Sequence, residues 1–172
     1  MVDTKILTKV QHELEEGFLI KYNCVSIPKN ETNGIFLEME PDLVAYDKNK
    51  GILYIGEITV SGCNGNNGKD RHIGGMKKFT ECFSKFYLLK LEENSREINK
   101  KIKALIPDFN IKTIECHLIV PAGCKFIKAL GWWRERLLKT EIMLLDEIPL
   151  SKITQGEMEG TLQNARNEMP HK

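Results

Sequence analysis

A polar, glycine-ended loop between two apolar segments constrains the fold more than any other feature of the sequence. Apolar residues recur over 35–46 and again over 52–60, and residues 47–51 between them read Asp-Lys-Asn-Lys-Gly. Short polar loops that end in glycine are typical of β-hairpins. We therefore predict two antiparallel strands over these segments.

The rest of the chain alternates between helical and strand patterns. The predicted elements are a helix over 2–16 that Gly17 ends, strands over 18–27, 35–46 and 52–60, helices over 71–93 and 95–105, a strand over 111–120, a helix over 125–139 and a strand over 141–145. This order, α-β-β-β-α-β-α-β, predicts an α/β fold with a mixed central sheet flanked by helices. We expect one domain over residues 1–150 and a polar C-terminal tail over 151–172, either a surface helix or frayed.

The composition is that of an ordinary globular domain. The chain has 172 residues and a formal net charge of +1, too small by itself to indicate nucleic-acid binding. No apolar run suggests a membrane span, and the N-terminus lacks the pattern of a signal peptide, so a cytoplasmic protein is expected. The five cysteines are scattered and form no C-x-x-C pair, which favours reduced thiols over a zinc knuckle or a disulfide framework.

Two acidic residues of the predicted hairpin can meet on one face of the sheet. Asp42 is near the start of its first strand, and Glu57 is inside the apolar second strand, where Thr59 shares its face. An antiparallel hairpin brings the two carboxylates together, and such a pair suits Mg²⁺, which prefers oxygen ligands. Because a buried carboxylate without a partner is costly, Glu57 indicates either a metal site or a structural ion pair.

Pro41-Asp42, followed fifteen residues later by Glu57-Ile58-Thr59, resembles the signature of the PD-(D/E)xK nuclease superfamily. The resemblance implies a restriction-endonuclease-like core and a DNA endonuclease that hydrolyses phosphodiester bonds. It also implies that Asp42, Glu57 and the backbone carbonyl of Ile58 hold Mg²⁺, for which Mn²⁺ is a possible substitute. A catalytically inactive nuclease-fold module that binds nucleic acid or assembles with partners is the alternative.

The sequence departs from that signature at Thr59, which replaces the motif lysine. A lysine from the next helix, Lys77 by preference or Lys78, is one substitute, and Lys69 in the glycine-rich stretch is another. Otherwise Thr59 acts without the positive charge of a lysine and activity is reduced, or the chain is a catalytically inactive relative that only binds nucleic acid. We also predict that Lys69, Arg71 and Lys78 contact DNA.

Members of the superfamily often place an acid on the first helix, where Asp3 and Glu13 are candidates, although helix capping also accounts for Asp3. His72 is a candidate phosphate contact or a surface histidine. His117, on an apolar strand, is more simply a core histidine than a ligand.

Trp132 and Trp133 precede Arg134 and Arg136, a combination that can stack on bases. Packing in the core or in a dimer interface is the more common role of such a pair, and we predict packing. A homodimer that handles two DNA strands is expected. It acts either alone or inside a larger defence or repair complex.

Overall fold

A five-stranded mixed sheet with helices on both faces forms the fold. The structure is a computed structural model, and it describes residues 4–63, 73–124, 126–130 and 132–167. Its elements in chain order are α1 (Thr4–Tyr22), β1 (Val25–Ser26), α2 (Lys29–Thr32), β2 (Leu43–Asp47), β3 (Ile52–Ile58), α3 (Ile73–Lys90), α4 (Glu92–Leu105), β4 (Thr113–Pro121), α5 (Phe126–Leu130), α6 (Trp132–Leu137), a 3-10 turn (Leu138–Thr140), β5 (Leu144–Ile148) and α7 (Lys152–Asn167).

The strands lie in the order β1-β2-β3-β4-β5. The first three pair antiparallel, and β4 and β5 continue the sheet as parallel strands. Parallel neighbours need crossover connections, which α3 with α4 and α5 with α6 provide. The predicted α/β fold with a mixed, helix-flanked sheet is confirmed. None of the helices in the described part of the chain is long and apolar enough to cross a membrane.

The predicted hairpin loop is confirmed, and Asp47 organises it. The carboxylate of Asp47 accepts hydrogen bonds from the backbone N–H groups of Asn49 and Lys50, at 2.9 and 3.0 Å. The N–H of Gly51 closes the loop on the Asp47 carbonyl at 2.8 Å. Local side-chain hydrogen bonds of this kind are the reason that aspartate favours turns.

Alternation along β3 divides the core between the two faces of the sheet. Leu53 and Ile55 pack among residues of α3 and α4, whereas Tyr54 packs with Leu14 and Phe18 of α1. Glu57 has the same parity as Leu53 and Ile55, so strand geometry directs its side chain towards α3.

Helix α1 does not end at Gly17, and the strand predicted over 18–27 is wrong except for Val25–Ser26. Val10, Leu14 and Phe18 form one buried stripe at helical spacing that runs past the glycine. A Cβ on Gly17 would lie 2.4 Å from the Cγ2 atom of Ile148 in β5. Gly17 therefore permits close packing of α1 on the sheet, and this tertiary contact overrides its usual role as a helix terminator.

The strand predicted over 35–46 begins only at Leu43. Leu37 and Glu38 have φ values of 54° and 60°, a left-handed conformation that is incompatible with a strand. Of the predicted helix over 125–139, the structure describes α5, α6 and the 3-10 turn, and residues 125 and 131 lie outside the described residues. The last strand is displaced to Leu144–Ile148.

Helix α7 lies within the predicted polar tail and packs against α1. Thr154, Met158 and Thr161 form its buried side. Glu13 of α1 accepts hydrogen bonds from the backbone N–H of Ser151 and from the hydroxyls of Ser151 and Thr154 at the start of α7. These contacts satisfy groups at the N-terminus of the helix and place a negative charge there.

Cys63 and Cys124 form a disulfide with their Cα atoms 4.6 Å apart, so the prediction of reduced thiols is wrong for this pair. They are separated by 61 residues and meet where the chain leaves β3 and β4. Such a pairing leaves no local spacing pattern in the sequence. Cys24, Cys82 and Cys116 are free.

We expect Gly17→Ala to lower the free energy of unfolding by about 1 kcal/mol, because overpacking against Ile148 exceeds the gain in helix propensity. Gly160→Ala in α7 is the matched control, since nothing lies within 4 Å of a Cβ added there. It should raise the free energy of unfolding by about 0.5–1 kcal/mol. Urea denaturation of both variants measures the difference, and stabilisation by both changes would contradict the close packing of α1 on β5.

Candidate functional site

Asp42 and Glu57 lie at the same end of the hairpin. Leu43 pairs with Gly56, and continuing this antiparallel register by one residue sets Asp42 opposite Glu57. The Oδ2 atom of half-buried Asp42 accepts a hydrogen bond of 2.8 Å from the backbone N–H of Ile58. Residues directly opposite in an antiparallel pair share a face of the sheet. The structure therefore brings together the two predicted acids and Ile58.

Glu57 is 3% exposed and pairs with two lysines of α3. Lys78 Nζ donates to Oε2 at 2.6 Å, and Lys85 Nζ donates to Oε1 at 3.1 Å. Two ammonium groups therefore balance the buried carboxylate, so Glu57 forms an ion pair with Lys78 and Lys85. The pair does not require a metal to account for the burial of the acid.

Lys78 carries a stable positive charge. Burial alone would lower its pKa, but the hydrogen bond to Glu57 and the negative charges of Glu57 and Asp42 outweigh it, so the pKa lies above its ordinary value. At neutral pH Lys78 is therefore an ammonium that can stabilise negative charge and not a base. Burial raises the pKa of the Cys82 thiol, one turn away, to about 12, so this cysteine is not a nucleophile at neutral pH.

Lys77, the preferred substitute for the motif lysine, is exposed on α3. Successive residues of a helix are rotated by about 100°. Phe79, Cys82 and Phe86 face the core, which sets Lys78 and Lys85 on the flank beside Glu57 and turns Lys77 away from it. The structure thus places Lys78, and not Lys77, beside Glu57. Sequence reasoning did not single out Lys85.

Thr59 lies directly after β3 and is nearly buried. Its N–H donates to the carbonyl of Ile119 at 3.0 Å, which continues the pairing with β4. Its hydroxyl oxygen accepts a hydrogen bond of 3.0 Å from the backbone N–H of Ser61. Thr59 is therefore held in place at the end of the strand that carries Glu57, and its O–H remains a donor.

Close backbone packing fixes the start of α3 at this edge of the sheet. A Cβ on Gly75 would lie 3.1 Å from the Cα of Gly62 and from the carbonyl oxygen of Ser61. Both positions follow β3, and the disulfide of Cys63 is next to them. The chain that leaves β3 is therefore in contact with the first turn of the helix that carries Lys78.

Of the remaining predicted site residues that the structure describes, Glu13 does not join this cluster. Lys69, Arg71, His72 and Asp3 lie outside the described residues. Glu13 interacts with Ser151 and Thr154; burial acts to raise its pKa, but their hydrogen bonds outweigh this effect and lower it. Glu13 is therefore a helix-capping residue of α7.

A second buried charge cluster lies on the other face of the sheet. His117 is fully buried, as predicted for a core histidine, and its Nδ1 atom pairs with Asp146 of β5. Tyr22 and Lys21 also donate to Asp146, at 2.7 and 2.6 Å. Sequence reasoning missed Asp146, although it is an acid inside an apolar strand, which is the signal that identified Glu57.

The donors at the hairpin end match a hard cation in chemistry. Asp42 and Glu57 offer carboxylate oxygens and Ile58 a carbonyl oxygen, the ligand type that Mg²⁺ prefers. The described residues contain no cluster of three or more histidine, cysteine or acidic side chains suited to a metal. A cation held here would have two acidic ligands, would retain waters and would compete with the lysines for Glu57.

We compared the chain with protein-family models, with curated proteins and with solved structures, and none of them matched.

Proposed function

We propose that the chain is a metal-dependent endodeoxyribonuclease with a restriction-endonuclease-like fold. The observation that carries the proposal is the meeting of Asp42, Glu57 and protonated Lys78 at the end of β3. Two acids and one ammonium are the groups that the PD-(D/E)xK signature implies, with the ammonium supplied by α3 and not by position 59.

The order of elements supports the same proposal. From α1 to β4 the chain forms a helix, three antiparallel strands, two helices and a parallel strand. Apart from the added short α2 and the division of the second helical segment, this is the α-β-β-β-α-β order that the resemblance implies. Asp42 lies directly before the second strand, and Glu57 lies on the third.

Asp42 and Glu57, with the Ile58 carbonyl, would hold Mg²⁺, which when bound neutralises phosphate charge and activates water. The N–H of Ile58 orients Asp42 through its 2.8 Å hydrogen bond. Lys78 has a flexible stem, so its ammonium can move from Glu57 to a phosphate oxygen and stabilise negative charge there. The hydroxyl of Thr59, at the end of the strand that carries Glu57, could hydrogen-bond a water of such a site, and Lys85 would continue to neutralise Glu57.

Nicking of supercoiled plasmid tests the proposal. We expect nicking with Mg²⁺ or Mn²⁺, none with a chelator, and loss of nicking in Asp42→Asn. Asp108→Asn is the matched control, because Asp108 is an exposed acid, 86% accessible, far along the chain from the site. Nicking that survives in Asp42→Asn would refute the site, and absence of nicking by the native protein under all metal conditions would refute the enzyme.

One observation favours a second candidate, a non-catalytic nuclease-fold module that binds nucleic acid. Both carboxylate oxygens of Glu57 already contact lysines, so its charge is balanced without a metal. This module binds DNA equally well with and without Mg²⁺, and Asp42→Asn leaves its affinity unchanged. Electrophoretic mobility shifts beside the nicking assay distinguish the two candidates.

A further inference from the structure

Two tryptophans lie on the surface of α6. Trp132 is 65% exposed and Trp133 is 43% exposed. Packing in the core, one of the two predicted roles, is therefore wrong, and packing in a dimer interface stays a prediction. Large exposed aromatic rings leave apolar area in water, and they are enriched at sites that bind a partner.

Each indole carries an arginine over its ring. The guanidinium carbon of Arg134 is 4.0 Å from the ring centroid of Trp133, and that of Arg136 is 5.1 Å from the ring of Trp132. Both distances are within the range of cation–π attraction. We call these four residues the Trp–Arg surface. It combines flat aromatic area with two positive charges, and Glu135 is the one acid of α6.

The Trp–Arg surface is attached to the helix that carries Lys78. Arg134 Nε donates to the hydroxyl of Thr80 at 3.3 Å, and its Nη1 contacts the sulfur of Met76 at 3.5 Å. Met76 and Thr80 lie two residues before and after Lys78 on α3. One helix therefore connects the Trp–Arg surface with the candidate site.

We propose that the Trp–Arg surface binds unpaired nucleotides of the DNA, so that the substrate class is DNA with a single-stranded segment. The inference rests on the proposed function for the identity of the nucleic acid. Bases of a continuous duplex are stacked on one another, whereas unpaired bases can stack on Trp132 and Trp133. The guanidinium groups then lie beside the phosphates that connect those bases.

The two charges favour this partner over a second copy of the chain. Arginine is an exception to the depletion of charged residues at the centre of protein–protein interfaces, so composition does not decide between the two partners. A symmetric dimer, however, would bring the guanidinium groups of both copies to one interface, where like charges repel. On the Trp–Arg surface a guanidinium lies over one face of each ring, and a phosphate chain complements that charge. We therefore assign the surface to nucleic acid, and self-association becomes an outcome of the test.

Intrinsic fluorescence reports on this surface directly, because Trp132 and Trp133 are the two tryptophans of the sequence. In a chelator, we expect oligothymidylate of about 15 nucleotides to quench the emission much more strongly than a blunt duplex of equal length. Trp132→Ala and Trp133→Ala should each weaken single-strand binding about 10-fold. Fluorescence anisotropy of labelled oligonucleotides gives these affinities.

Tyr87→Ala is the matched control, since Tyr87 is a 51% exposed aromatic residue on α3 outside the Trp–Arg surface. This variant should bind single strands with unchanged affinity. Arg136→Gln should reduce the salt dependence of single-strand binding by about one released ion. Unchanged affinity in both tryptophan variants would overturn the proposal. Size-exclusion chromatography tests self-association. A native dimer that becomes monomeric in the tryptophan variants, with unchanged affinity for single strands, would also overturn the proposal.

Failure of this inference can be told apart from failure of the nuclease proposal. Binding in a chelator does not depend on a metal at Asp42 and Glu57. Tryptophan-dependent binding without nicking supports the Trp–Arg surface and refutes the enzyme. Nicking without any preference of the Trp–Arg surface for single strands supports the enzyme and refutes the inference.

Discussion

Replacing Lys78 with methionine is expected to lower the rate of DNA cleavage by about 10²–10³-fold, the usual effect of removing one group that stabilises transition-state charge. The ammonium of Lys78 is 2.6 Å from Glu57 and remains protonated at neutral pH. In the proposed site it supplies the positive charge that Thr59 does not provide. Methionine has a similar length and no charge, so the change removes the ammonium with little loss of volume.

Lys77→Met is the matched control, because Lys77 is the neighbouring residue on the exposed side of α3. Its cleavage rate should be unchanged. Lys85→Met should have a smaller effect than Lys78→Met, since Lys85 contacts Glu57 at 3.1 Å and Lys78 still pairs with the acid. Single-turnover nicking rates measure the series, and urea denaturation confirms folding. A large loss in Lys77→Met with a normal rate in Lys78→Met would reverse the assignment.

The choice between Lys77 and Lys78 shows what the sequence can predict about the site. Local features of the sequence were sufficient to predict the hairpin and the two acids at its end, because strand alternation and the Asp47 turn act over a few residues. Which lysine lies beside Glu57 depends on how α3 is rotated about its own axis against the sheet. Phe79, Cys82 and Phe86 carry that information, since their buried face fixes the side on which Lys78 lies.

Features that depend on distant parts of the chain could not be predicted in this way. Gly17 continues a helix because of Ile148, which belongs to the last strand. Cys63 and Cys124 meet only after β4 has returned beside β3. In both cases a tertiary contact overrides a local preference, and neither partner is recognisable from sequence spacing.

Asp146→Ala is expected to lower the free energy of unfolding by about 3–5 kcal/mol, the cost of removing one partner of a buried charged pair. Asp146 is 2% exposed and interacts with His117, Tyr22 and Lys21. His117 is fully buried, and its Nε2 atom has no hydrogen-bond partner among the described residues. Losing Asp146 therefore leaves the imidazole in the core without its main partner.

The same cluster makes stability depend on pH in acid. Burial acts to raise the pKa of Asp146, but hydrogen bonds from His117, Lys21 and Tyr22 outweigh it and lower the pKa from 3.8 to about 2. A lowered carboxyl pKa stabilises the fold above the unfolded-state value, and this stability is lost as the pH falls through the native value. We expect Asp146 to contribute about 2 kcal/mol that disappears between about pH 4 and 2.

Glu147→Ala is the matched control, because Glu147 is the next residue of β5 and is exposed. Its free energy of unfolding should stay within about 0.5 kcal/mol of the native value.

Asp146→Asn keeps the side-chain size and removes the charge, so it should lose the acid-dependent contribution attributed to this residue. Urea denaturation of the native protein and the three variants at several pH values measures both effects. Equal stability of Asp146→Ala and Glu147→Ala would contradict the charge cluster, and unchanged acid sensitivity in Asp146→Asn would contradict the lowered pKa. The groups that face Asp146 are His117 of β4 and Lys21 and Tyr22 of α1, and Glu115 lies 3.4 Å from the Nε2 atom of His117. Since Glu57 and Lys78 lie on the opposite face, Asp146→Asn should leave DNA cleavage unchanged wherever the variant is folded.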